Sequence, residues 1–261
     1  MNAKLLQRSI GIVIVGLIIL MAVFAPWLAT HGPNSSSASV IAPASAENWL
    51  GTDYLGRDVY SRVVYGARVS LVIGLAAAMV GMIIGIPIGL LSGYARGSKV
   101  DIILVQAIDI FIALPAIILA LIMTSVLGAS IPNLILVIGL LKWPIVARLV
   151  RGQVLNLREQ AFVEAARAVG CTTARILARH IAPNMMGILM AQFAIITSTS
   201  IFTSASLGFL GLGLPPPTPD WGGMVQEGFD YLFLNPLISL APGAAVSLTV
   251  MGFYLIGQTY D

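Results

Sequence analysis

The sequence predicts an all-α integral membrane protein of six transmembrane helices, with both termini on the cytoplasmic side. Three observations lead there. Apolar residues make up 58% of the 261 and charged residues only 10%, against about a quarter charged in a soluble domain. The apolar residues are gathered into long uncharged runs separated by turn-rich or basic segments. The lysines and arginines fall mostly on one side of those runs.

The charge deficit excludes a soluble globular enzyme, and no Gly-X-Y period or polar low-complexity tract offers another low-charge class. The single Cys171 excludes a disulfide framework and a multi-cysteine metal site. No Walker, His-Glu-x-x-His or Gly-x-Ser-x-Gly pattern occurs, so the sequence holds no cofactor-binding or nucleophile motif. His31 and His180 lie far apart and are read as solvated and as packed at the inner face, respectively.

A crossing takes about 20 apolar residues. Ser9 to Thr30 is the first such run, preceded by Lys4 and Arg8. It is longer than the core of a signal peptide, and Ala44-Ser45-Ala46 stands too far downstream for a cleavage site, so it is read as a span. Val69 to Ala95 is the second, bracketed by Arg68 and Arg96. Ile102 to Leu141 is too long for one crossing, and Gly128-Ala129-Ser130-Ile131-Pro132-Asn133 divides it. With the runs after Met185 and Leu232, the expected spans lie near 9–30, 69–95, 102–127, 132–150, 185–206 and 232–257. They leave outer loops at 31–68 and 207–231 and a cytoplasmic loop at 151–183.

The positive-inside rule orients them. Lys4, Arg8, Arg96, Lys99, Arg148, Arg151, Arg158, Arg167, Arg175 and Arg179 fall inside if the N-terminus is inside. Only Arg57, Arg62 and Arg68 fall outside.

Within the spans, Gly81, Gly85 and Gly89 form a small-xxx-small ladder suited to close helix packing. Pro87 and Pro115 predict kinks. Asp109 and Lys142 are the ionisable residues expected inside spans, at similar depth from the inner face. An ionised group there is costly unless paired, so a structural Asp109–Lys142 salt bridge is expected. The rival readings make the same two residues part of the pathway lining, or the ion-coupled pair of a secondary transporter.

The cytoplasmic loop is amphipathic and basic. Gln160 to Val169 is Ala-rich and helix-forming. Gly170 suits a left-handed helix stop. Thr172 or Thr173 can cap a second short helix that stops before Pro183. Such a helix–turn–helix on the membrane face can dock into a groove on another protein; positive-inside bias explains its charge without nucleic acid.

Here the residues resemble a known family. Glu164-Ala165-Ala166 followed by Gly170, with His180 and Pro183 beyond, is similar to the signature loop of permease subunits of bacterial ABC importers. Gly51-Thr52-Asp53, Gly56-Arg57-Asp58, Ser61-Arg62 and Tyr65-Gly66-Ala67-Arg68 resemble the segment before the second span in the dipeptide/oligopeptide/nickel branch. Arg179 to Asn184, Phe209-Leu210-Gly211-Leu212-Gly213 and Trp221-Gly222 are similar to the same branch. Ala182 departs from the usual leucine, Tyr254 and Gln258 from the usual Asn and Asp, and the chain ends at Asp261 before the charged tail of the family.

The resemblance implies a type I ABC importer permease fold in the bacterial cytoplasmic membrane. It implies a second homologous permease, one or two kinds of ATPase that carry ATP and magnesium, and an extracytoplasmic solute-binding protein. This chain then binds no cofactor itself and catalyses nothing. Glu164, Ala165, Ala166, Gly170, His180 and Pro183 become the ATPase-coupling residues. Gly51, Asp53, Gly56, Arg57, Asp58 and Arg62 become an outer docking motif. Short peptides are the expected cargo, with nickel or a metal–chelator complex as the alternative.

Overall fold

The structure, a computed structural model, describes residues 3–37 and 39–258. Those residues form eleven α-helices, and their only strand-like pairing is two isolated bridges, Ser36 with Arg57 and Thr52 with Asp58. Helix α1 (Ala3–Val23) is followed by a single turn, α2 (Ala25–Leu28), with proline in its first turn where the missing N–H has no helical partner to lose. An outer segment leads to α3 (Val59–Tyr94), then α4 (Lys99–Ala113), α5 (Ala116–Leu127) and α6 (Ile131–Leu157). The cytoplasmic loop holds α7 (Ala161–Ala168) and α8 (Thr173–Arg175). After it come α9 (Met186–Leu207), α10 (Trp221–Phe229) and α11 (Leu237–Gln258).

Five helical stretches are long and apolar enough to cross a membrane: Leu5–Val23, Val59–Tyr94, Ile131–Leu157, Thr173–Leu212 and Leu237–Gln258. A sixth is obtained if α4 and α5, bent by 87° at their junction, count as one span. Pro115 stands at that junction. It has no N–H to continue α4, and it disfavours helical backbone in Leu114 before it. The expected kink is therefore a sharp break.

The helix that carries the second span begins at Val59, before the apolar run that starts at Val69. Asp58 caps it, its carboxylate accepting from Ser61 N at 2.8 Å. The arginines in its first turns find partners locally. Arg62 lies between Asp53 and Glu227, and Arg68 donates from Nε and Nη2 to the carbonyls of Ala22 and Val23 at the end of α1.

The glycine ladder is the contact between α3 and α6. A Cβ on Gly85 would lie 2.6 Å from Val146 Cβ and 2.7 Å from Trp143 O. On Gly89 it would lie 2.6 Å from Ala147 O, and Gly93 extends the row to Val154. Only hydrogen at these positions lets the two backbones approach this closely. From the other side, Gly139 of α6 receives Val80.

Around this pair the core divides into clusters. One joins α1, α3, α9, α10 and α11 through Ile18, Leu71, Ile201, Trp221 and Phe253. Another, the inner cluster, joins α3, α6 and α9 to the cytoplasmic loop through Met82, Val150, Val163, Ile176 and Met185. Large apolar side chains such as Ile103, Ile110 and Val126 remain on the outside, as helices in hydrocarbon require.

Candidate functional site

In the cytoplasmic loop, α7 turns Val163 and Ala166 into the inner cluster and leaves Glu164 and Ala165 outward. Gly170 ends it at φ 78°. Its N–H bonds to Arg167 O at 2.9 Å and that of Cys171 to Ala166 O at 3.0 Å, the paired bonds of a Schellman stop. Thr172 then caps the next turn, accepting from Arg175 N at 3.4 Å. The exposed face carries Glu164 beside Phe162 and Val169, the latter 79% exposed. Apolar residues ringing an acid on a short, fixed helix suit a docking surface.

The second helix does not stop before Pro183. It widens into a π turn over Ile176–Ile181 and tightens over Ala182–Met185 before α9. Pro183 occupies the first turn of that tighter stretch, where its missing N–H is tolerated. His180 is half-buried, and its carbonyl accepts from Asn184 Nδ2 at 2.6 Å.

Residues that sequence reasoning passed over tie this loop to the spans. Arg158 Nη1 donates to Tyr94 O at 3.0 Å, at the C-terminus of α3, and Arg167 lies 5.4 Å over the Tyr94 ring. Arg151 grips Asp101 at the start of α4, and Asp101 also accepts from Ser92 Oγ at 2.6 Å and Gly97 N at 3.0 Å. A cationic residue against a helix C-terminus was the available signal; the Arg151–Asp101 pairing had none.

The outer motif residues do converge. Gly51 and Gly56 take positive φ of 79° and 74°. Asp53 accepts from Arg57 N and Nε at 2.9 and 2.6 Å and sits 3.5 Å from Arg62 Nε. Both arginines reach Glu227 of α10, at 3.0 and 3.8 Å. Asp58 holds Ser61 and also accepts from Thr30 Oγ1 at 3.1 Å. Trp221 Nε1 donates to Val63 O at 2.9 Å, its ring filling the space left by Gly66. Asp220 caps α10, accepting from Gly223 N at 3.1 Å. Its burial pushes the carboxyl up to about 6 against the pull of the Gly223 and Gly222 amides, with Glu227 adding to the rise. The two outer loops thus form one charged, hydrogen-bonded cap.

The expected Asp109–Lys142 salt bridge does not form. Asp109 pairs with Arg148, and Lys142 Nζ instead reaches Thr203 Oγ1 on α9 at 3.4 Å. Equal depth does not fix direction around a helix: Lys142 packs on Gly81 of α3 and faces α9, while Arg148 is the basic residue of α6 that reaches Asp109 of α4. The ion-coupled reading loses the pair it rested on.

Membrane-length helices, with a loop of two short helices at one end and a charged cap at the other, define a polytopic membrane protein. The chain matches the model of the binding-protein-dependent transport system inner membrane component over residues 85–260 and that of the N-terminal transmembrane domain of oligopeptide transport permease C over 9–48. It belongs to the binding-protein-dependent inner membrane component family, and so resides in the bacterial inner membrane.

Relatives include a dipeptide transport system permease of Alkalihalophilus pseudofirmus, 39% identical over 95% of this chain and 82% of that protein. An oligopeptide transport system permease of Bacillus subtilis is 37% identical over the same shares. A glutathione transport system permease of an Escherichia coli O6:K15:H31 strain is 39% identical over 93% and 80%. Among solved structures, a chain of the inward-facing MetNI methionine ABC transporter matches with a TM-score of 0.63 and 23% identity, over 76% of this chain and 93% of that one. The shared fold is thus that of an ABC importer permease.

Proposed function

We propose that this chain is one permease of an ATP-driven importer of short peptides, working by alternating access. The observation that carries the reading is the cytoplasmic loop. A short helix presents Glu164 outward, is stopped by Gly170, and is fastened to α3, α6 and α9 by one continuous apolar cluster. A push on that loop moves the spans with it, because a packed core transmits displacement instead of absorbing it. The peptide cargo is supported by relatives named for dipeptides, oligopeptides and glutathione.

In this reading residues 151–183 face the cytoplasm and meet one or two ATPase subunits, which bind ATP and magnesium. A second, homologous permease completes the passage. The cap formed by residues 51–62 and 220–227 receives a solute-binding protein outside. Free energy enters from the ATPases, and this chain supplies a wall of the path and a lever.

The test is to purify the tagged chain from gently solubilised membranes and identify what accompanies it. A second permease and an ATPase are expected, with the ATPase lost on E164K and G170V. A chain that purifies alone and moves solute under an ion gradient overturns the reading.

A further inference from the structure

A cleft of about 550 Å³ opens between α5, α9, α10 and α11, lined by Ala116, Ile117, Phe202, Thr203, Ser206 and Val246 among others. Its wall is apolar apart from two hydroxyls. Ser206 Oγ is committed to its own helix, donating to Phe202 O at 2.8 Å. Thr203 Oγ1 donates to Thr199 O at 2.7 Å and keeps a lone pair, which receives Lys142 Nζ at 3.4 Å.

Lys142 is only 9% exposed. Its stem passes over Gly81, where a Cβ would come within 2.9 Å of its own, and so is directed from α6 past α3 toward α9. Among the described residues no carboxylate lies within ion-pair distance, since Asp109 is held by Arg148. An ammonium has three donors, and this one has a single long hydrogen bond among the described residues. A buried cation without a counter-charge is costly in hydrocarbon.

The break at Pro115 adds to the same region. Helix α5 begins there with no side-chain cap, and its first two residues, Ala116 and Ile117, line the cleft. The amides of a first helical turn lack helical acceptors and carry partial positive charge. The cleft thus has the Lys142 ammonium against its Thr203 wall and the uncapped start of α5 among its lining, two features that favour a negative ligand in an otherwise apolar space.

We propose that the Thr203–Lys142 corner is an anion subsite that takes the C-terminal carboxylate of a peptide in transit, an inference that rests on the peptide-import reading above. The carboxylate is the one negative group that unmodified peptides share whatever their side chains. A site for it orients the peptide without reading sequence, while Phe202, Phe209, Leu210 and Val246 offer side chains an apolar surface of no particular shape.

The test uses the complete importer with its binding protein, reconstituted in zwitterionic vesicles. Uptake of trialanine is compared with uptake of its C-terminal amide, each at saturating binding protein, and the readout is the ratio of the two rates. Wild type is expected to favour the free carboxylate by about tenfold, the scale of one charge-assisted contact. The ratio should fall toward one in K142M and K142Q, fall part way in T203V, and survive in K142R. K142Q keeps a polar stem should K142M fail to assemble. A wild-type ratio near one, or an unchanged ratio in K142M and K142Q, overturns the subsite and leaves peptide import standing. Loss of the wild-type ratio when anionic phospholipid is added assigns the corner to a lipid headgroup and also overturns it. If wild type imports neither form, the peptide reading itself falls.

Discussion

Arg151 and Asp101 meet in a two-bond ion pair, Nε to Oδ1 at 2.9 Å and Nη2 to Oδ2 at 3.0 Å, that fastens the cytoplasmic end of α6 to the start of α4. Ser92 and Gly97 hold the same carboxylate, so the ends of three spans converge on one side chain. R151M leaves that buried carboxylate without its cation and should destabilise the detergent-solubilised protein by about 1.5–3 kcal/mol. D101N with R151M should recover part of the loss, read as the midpoint of thermal unfolding. Equal losses in single and double variants would remove the pair from the account.

Asp109 and Lys142 should behave as strangers. D109N and K142M, measured singly and together, should add to within about 0.5 kcal/mol, whereas D109N with R148M should show coupling. Coupling between Asp109 and Lys142 instead would restore the pair that the geometry denies.

The glycine ladder makes a graded prediction. At Gly85 the obstructing atoms include the Trp143 carbonyl oxygen, which cannot rotate away. G85A should therefore cost about 1–3 kcal/mol, and G85L should prevent folding. At Gly187, where nothing lies within 4 Å of a built Cβ, alanine should be neutral or slightly stabilising. Expression level and unfolding midpoint of the three variants rank them.

Asp220 makes the outer cap sensitive to pH. Its carboxyl is raised from 3.8 to about 6 by burial, so the folded cap holds a proton more tightly than the unfolded chain does. Its contribution to stability is full below 3.8 and is lost as pH rises through about 6. Amide exchange across residues 207–230, corrected for intrinsic rate, should be slower at about pH 5 than at about pH 7.5. D220N keeps a capping side chain and should abolish the difference.

Glu164 is exposed and makes no ion pair among the described residues. E164A should shift stability by no more than about 0.5 kcal/mol and yet lower ATP hydrolysis stimulated by the binding protein. An equal fall in stability and activity would reduce Glu164 to a surface residue.

How much of this was legible follows from what each signal encodes. Long apolar runs report membrane thickness, and they gave the number of crossings. The Gly170 stop and Thr172 cap are local backbone chemistry, readable from a few neighbouring residues. The glycine spacing named one face of α3, though not that α6 would cover it. What could not be read was direction around a helix axis. Nothing in one sequence says that Asp109 faces Arg148, or that Asp101 meets a guanidinium fifty residues away. That the helix carrying the second span starts ahead of the apolar run was hidden for a related reason: Arg68 looks like an edge until its guanidinium is seen to donate to the carbonyls of Ala22 and Val23, distant in sequence.

Helix α3 has 36 residues, which at about 1.5 Å each is roughly 54 Å, well beyond the 30 Å or so of hydrocarbon. It projects at both ends, carrying part of the ionic cap at one and the Arg158 contact at the other. Pro87 deletes one of its internal hydrogen bonds, and Gly81, Gly85, Gly89 and Gly93 press the flanking turns against α6 on either side of that gap. The partner helix acts as a splint: a shaft interrupted at its proline stays one continuous helix. In the proposed transport cycle, rotation applied at the cytoplasmic end would reach the outer surface along that single axle.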